Sequence, residues 1–124
     1  WINNIHKVLC SDLKKTFIDC LFKPDYAGGI VEIARAIYIS KDKIKYNTLL
    51  DYAKRFGSQA VLKRLGFLLE LLEIQTNIID ELQKLKTASY IALDTELPKT
   101  GKYNKRWSIL QNLETETIKS AIYT

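Results

Sequence analysis

The 124-residue sequence has no methionine, one histidine, two cysteines and two prolines. The single histidine, His6, has no recognisable nucleophile motif near it, which argues against a catalytic triad. Cys10 and Cys20 are too few for a disulfide framework and belong to no metal-binding cysteine motif, so we expect reduced thiols. Charged residues interrupt even the most apolar stretch, within residues 59–73, and no segment therefore predicts a membrane span.

What the chain does contain is typical of a folded domain. Hydrophobic residues make up 47% and charged residues 27%, a balance that disordered segments do not have. A chain of this length suits one core, so residues 1–124 are expected to form a single domain. The net charge of +5 favours contact with polyanions. With no methionine and no signal-peptide layout, we expect a cytoplasmic piece of a longer gene product.

Apolar stripes at helical spacing predict about six helices. They are expected near residues 12–22, 30–39, 47–56, 59–73 and 77–86, and from Thr115 onward. The helix at 59–73 has the widest stripe and is expected at the centre of the core. Gly66 within it would cost about 1 kcal/mol relative to alanine, which predicts a close approach by a neighbouring element at that point.

Three short segments predict strands of a small sheet: residues 5–10, 89–93 and 106–110. The polar segment between the last two contains Pro98 and Gly101 and is expected to be a loop. The predicted fold class is therefore α+β, a mainly helical single domain with a small β-sheet.

Residues 50–65 superficially resemble a helix-turn-helix, with Gly57 in the turn and Lys63 and Arg64 on the second helix. A recognition helix must expose the side that enters the DNA groove. The second helix here instead continues through apolar residues that require burial: Phe67, Leu68, Leu69, Leu71 and Leu72. We therefore favour packing of this helix in the core.

The candidates for catalysis or cofactor binding have simpler structural interpretations. Glu70 and Glu73 share one side of a helix, as metal ligands would, but that spacing is also typical of a solvated helix face. Gly28 and Gly29 precede a helix but lack the spacing of phosphate-binding loops. The sequence thus predicts no catalytic residue, metal site, cofactor or small-molecule substrate, and the protein is not expected to be an enzyme.

The best candidate for binding is the segment KTGKYNKRW at residues 99–107. It combines four cations with two aromatic rings, a mixture that suits a phosphate backbone or an acidic partner: Lys99, Lys102, Lys105 and Arg106 with Tyr103 and Trp107. The alternative is a solvated loop in which Tyr103 and Trp107 cover the edge of the core.

Five short stretches, in the order in which they occur, resemble the C-terminal domain of the AbiEi family of abortive-infection antitoxins, also described as transcriptional regulators of viral defence systems. The stretches are SDLKKTFIDCL (11–21), PDYAGGI (24–30), YAKRFG (52–57), RLGFLLE (64–70) and GKYNKRW (101–107). Each is short, and the resemblance rests on their succession.

The resemblance implies the regulatory or antitoxin domain of a toxin–antitoxin system. It also implies an N-terminal winged helix, absent from this chain, that binds operator DNA. The implied partner is a nucleotidyltransferase-like toxin, whose neutralisation does not require a stable complex. Its motif positions give candidate site residues, to which the basic segment adds Lys99 and Lys105: Arg64, Glu70, Lys102, Tyr103, Asn104, Arg106 and Trp107. The alternative function is a stand-alone nucleic-acid-binding module that uses residues 99–107 and neighbouring basic helices.

Overall fold

The computed structural model describes residues 17–23, 29–94 and 98–123. The expected strand at residues 5–10 and the start of the first helix lie outside the described residues. Six helices and a three-stranded sheet confirm the predicted mainly helical α+β class within those ranges. In chain order they are α1 (17–22), α2 (Ile30–Ser40), α3 (Tyr46–Phe56), α4 (Gln59–Leu71), α5 (Ile78–Leu85), β1 (Ile91–Ala92), β2 (Lys102–Asn104), β3 (Ile109–Gln111) and α6 (Thr115–Tyr123).

Helix α4 is the centre of the core, as its wide apolar stripe predicted. Residues 61–69 are all buried, including two cations and a glycine. Helices α3 and α5 pack against α4, while α2 packs against α6. The apolar side chains that fill the interior come from all of these helices, among them Ile33, Ile37, Leu49, Leu65, Leu68, Leu69, Ile78, Leu82 and Ile118.

Helices α3 and α4 each end where a single residue adopts a left-handed backbone conformation. Gly57 adopts φ 76° after α3 and donates its N–H to the carbonyl of Ala53. Helix α4 ends two residues earlier than predicted because Glu73 adopts φ 59°. The N–H of Glu73 then bonds Glu70 and the N–H of Ile74 bonds Leu69, the paired bonds of a Schellman motif.

The sheet has the strand order β1-β3-β2. The predicted strands at 89–93 and 106–110 do pair, in parallel, although the paired segments are only β1 and β3, with Ala92 opposite Leu110. Strand β2 was wrongly predicted to be a loop, and it pairs antiparallel to β3 with Tyr103 opposite Leu110. Because β2 lies at an edge and is largely exposed, it lacks the apolar alternation by which strands are recognised.

Two further features bear on the sequence predictions. Cys20 is a buried free thiol, and burial, with a smaller contribution from the charge of Asp19, raises its pKa to about 11. It is therefore protonated and unreactive at neutral pH. Among the described helices, none combines the length and apolar character that crossing a lipid bilayer requires.

We predict that Leu65→Ala lowers the free energy of unfolding by about 2–5 kcal/mol, because it leaves a cavity beside fully buried neighbours. Denaturant-induced unfolding measures this loss. Leu85→Ala on α5 is the matched control, since Leu85 is partly exposed and should lose much less. Equal losses at the two positions would contradict the central position of α4.

Candidate functional site

Trp107 is packed on α4 and is only 1% exposed. A side chain at Gly66 would overlap the six-membered ring of the Trp107 indole, so the glycine provides the surface on which the ring lies. This confirms the close approach predicted at Gly66. Trp107 covers the core, as the alternative interpretation of the basic segment predicted, and is not accessible to a partner.

Glu70 of α4 fixes the same region by accepting three hydrogen bonds. Nε of Arg106 donates to its two carboxylate oxygens at 2.8 and 2.7 Å, and Nε1 of Trp107 donates to one of them. Burial acts to raise the pKa of Glu70, but the hydrogen bonds from Arg106 and Trp107 outweigh burial and lower the pKa. Glu70 thus remains charged at neutral pH and holds both side chains.

Helix α5 and the residue after it hold the turn between β2 and β3. Nε2 of Gln83 donates to the carbonyl of Arg106 at 2.6 Å, and Nζ of Lys86 donates to Oγ of Ser108 at 3.0 Å. Ser108 has φ 53°, an unusual conformation for a residue other than glycine, which these contacts keep in place. The β2–β3 hairpin, residues 102–111, is therefore attached to both α4 and α5.

The outer side of this hairpin and the loop before it are exposed and basic. Tyr103 is 64% exposed, while Lys99, Lys102 and Lys105 are exposed around it. Asn104 is half-buried and accepts a hydrogen bond from the backbone N–H of Trp107 at 3.0 Å. Residues 98–113 contain no acidic residue. Of the four cations in residues 99–107, Arg106 alone forms an ion pair with another described residue, Glu70.

Sequence reasoning missed one component of this surface, Tyr90. Its ring lies 4.9 Å from that of Tyr103, centroid to centroid, at an interplanar angle of 79°, and it is 43% exposed. The sequence identified Tyr90 only as part of a strand. No pattern in the chain indicates the contact, because β1 and β2 are separated by β3 in the sheet.

Arg64, a candidate binding residue by resemblance, is 3% exposed and belongs to the interior instead. Its guanidinium donates to the carbonyls of Leu21 and Phe22 at the end of α1, at 2.8 and 3.2 Å, and to Ala92 of β1, at 2.9 and 3.3 Å. Burial lowers its pKa and the charge of Asp94 partly offsets this, but a guanidinium stays charged. Arg64 joins α1 to the sheet and is absent from the exposed surface.

Lys63, the other cation of the apparent helix-turn-helix, is also buried. Its ammonium donates to Oγ1 of Thr87, at 3.2 Å, and to the carbonyl of Ser89. Burial, and then the charge of Lys86, lowers its pKa. The prediction that this helix packs in the core is confirmed, and α4 presents no face to a DNA groove.

Two open grooves of about 290 and 430 Å³ adjoin Glu70 and Glu73, and residues of α6 border the smaller one. No group of three or more potential metal ligands comes together in the ranges that the structure describes. Comparison with protein-family models, with curated proteins and with solved structures gives no match. The family resemblance seen in the sequence therefore stays a prediction.

We predict that Gly66→Ala destabilises the protein by about 1–3 kcal/mol, because the added methyl group displaces the indole. In an open helix the same change would stabilise by about 1 kcal/mol, so the sign of the effect tests the packing. Denaturation of the single and double variants with Trp107→Leu measures the coupling. The combined loss should be smaller than the sum of the single losses. A gain in stability from Gly66→Ala alone would contradict the contact.

The lowered pKa of Glu70 predicts a pH-dependent contribution to stability. A carboxylate with a depressed folded pKa stabilises fully above its unfolded value, about 4.5, and this stabilisation is lost as the pH falls through the folded pKa. Glu70→Gln should therefore cost about 1 kcal/mol at pH ~7, and the difference from the parent should narrow toward pH ~3. Denaturation at both pH values tests this. Glu73→Gln is the control, and a pH-independent cost at Glu70 would contradict the ionic role.

Proposed function

We propose that this protein is a binding domain with no reaction of its own, the C-terminal regulatory part of a cytoplasmic antitoxin and transcriptional regulator in an abortive-infection toxin–antitoxin system. The observation that carries the binding role is the division of the hairpin into a fixed inner side and a basic outer side. On the inner side Trp107 is buried on α4 and Arg106, although its side chain is 53% exposed, is held by Glu70, whereas Lys102, Lys105 and Tyr103 are exposed on the outer side.

This division supports binding rather than simple connection. A connector between two strands needs neither three exposed lysines nor a network that fixes the turn at Glu70 and Gln83. The backbone that carries these charges is already ordered and need not be ordered when a partner arrives, which favours affinity. Positive charge also accelerates association with an anionic surface.

The resemblance supplies the biological setting of the proposal. Its motif residues divide in the same way as the hairpin, since Glu70, Asn104, Arg106 and Trp107 form the support while Lys102 and Tyr103 are exposed. In this setting a separate winged helix binds operator DNA. The exposed face of this domain then acts against the effect of the cognate nucleotidyltransferase-like toxin.

We predict that the full-length antitoxin protects cells less well against the toxin when three lysines are changed together to alanine: Lys99, Lys102 and Lys105. Arg106 is left unchanged because its ion pair with Glu70 supports the fold. Each exposed site should alter stability by no more than about 0.5 kcal/mol, so the full-length antitoxin should accumulate normally. Growth after toxin induction measures protection, and immunoblotting measures the antitoxin level.

The matched control changes three exposed lysines elsewhere, Lys43, Lys45 and Lys54, to alanine. It removes the same charge and should protect like the parent. Undiminished protection by the hairpin variant at equal protein level would show that these cations are not the antitoxin surface. Equal losses in both variants would indicate an effect of net charge alone.

A further inference from the structure

Tyr90 and Tyr103 form an exposed aromatic pair next to the basic hairpin, and we propose that this surface binds single-stranded nucleic acid. The tyrosine rings stack on bases, and the neighbouring lysines contact phosphates. The inference depends on the proposed binding role of the hairpin, but it does not depend on the antitoxin assignment.

The position of the two rings follows from the sheet register. Tyr103 of β2 and Ala92 of β1 both lie opposite Leu110 of β3, which places their side chains on one face of the sheet. Tyr90 immediately precedes β1, two residues before Ala92, and its ring contacts the ring of Tyr103. The rings meet edge to face across β3, so part of each ring is covered by the other and the rest remains open to solvent.

Cations lie in sequence on both sides of this pair. Lys99, Lys102 and Lys105 surround Tyr103 in the chain, and Lys86 approaches the start of β3 through Oγ of Ser108. Because successive strand residues face opposite sides, Lys102 belongs to the face of β2 opposite Tyr103, while Lys99 and Lys105 precede and follow the strand. Exposed aromatic rings on a sheet, with cations in the flanking segments, suit the binding of unpaired nucleotides, since every base offers a face for stacking.

The same observations disfavour the other anionic partners. Duplex DNA keeps its bases stacked and is read by an element that enters a groove, whereas the basic residues Lys63 and Arg64 of α4 are buried. An acidic protein surface would be satisfied by the lysines alone. Two rings of 43% and 64% exposure would then have no role in binding.

Fluorescence anisotropy of the 124-residue protein with labelled oligothymidylate and oligouridylate of about 15 nucleotides tests the proposal. A duplex of similar length and polyglutamate are the comparison ligands. We expect a single strand to bind more tightly than either, and the two labelled strands separate a DNA from an RNA preference.

Variants divide the binding into its two parts. Tyr103→Leu should weaken single-strand binding about 5- to 150-fold, the range for one lost base stack, while Tyr103→Phe should bind nearly as the parent. When Lys99, Lys102 and Lys105 are changed to alanine, the association constant should fall less steeply with salt. The magnitude of the slope of its logarithm against the logarithm of the salt concentration should decrease by about 2. Phe56→Leu, an exposed ring on α3, is the control and should leave binding unchanged. Circular dichroism verifies that each variant is folded.

Duplex binding as tight as single-strand binding would overturn the inference, and so would a single-strand affinity that Tyr103→Leu leaves unchanged. Polyglutamate that binds as tightly as the single strands would overturn it as well and assign the surface to an acidic partner. The antitoxin proposal is decided separately by the protection measured with the lysine variant. If the lysine variant loses protection although the protein does not bind single strands, the antitoxin proposal stands and only the single-strand inference fails.

Discussion

Residues 61–69 of α4 are buried on every side of the helix, so the rest of the chain must supply hydrogen-bond acceptors for the two cations among them. A buried charge without hydrogen-bond partners costs several kcal/mol, so the ammonium of Lys63 and the guanidinium of Arg64 need carbonyl and hydroxyl groups close to the helix. The end of α1 and residues 87–92 provide them. This requirement positions β1, and through the pairing of β1 with β3 it positions the hairpin.

The contact between Gly66 and Trp107 then fixes the hairpin's distance from α4, and Glu70 sets its orientation through Arg106. One helix thus provides both the core and the support of the candidate surface. Residues that the sequence groups into a single basic-aromatic segment have opposite roles, because Trp107 faces the helix while Tyr103 faces solvent. The exposed lysines are attached to a fixed stretch of backbone without contributing to the core.

The helices could be predicted from sequence because their apolar stripes are long and periodic, and Gly66 in such a stripe correctly indicated a close neighbour. Strand β2 could not, since an exposed edge strand of the composition Lys-Tyr-Asn has no apolar alternation. The role of Arg64 could not be predicted either, because its acceptors are backbone carbonyls 28 and 43 residues away. Every residue has a backbone carbonyl, so the sequence does not indicate which ones accept. The contact of Tyr90 with Tyr103 depends on a strand order that local patterns do not specify.

The strands of this sheet are only two and three residues long, and such short ladders contribute little stability of their own. The contacts of Trp107, Arg106 and Gln83 with the helices therefore govern how often the hairpin opens. In hydrogen exchange, the backbone amide hydrogens of β2 should exchange during brief local openings. Those at the centre of α4 should exchange only when the whole domain unfolds. The candidate binding surface would thus open locally at a lower free-energy cost than the core.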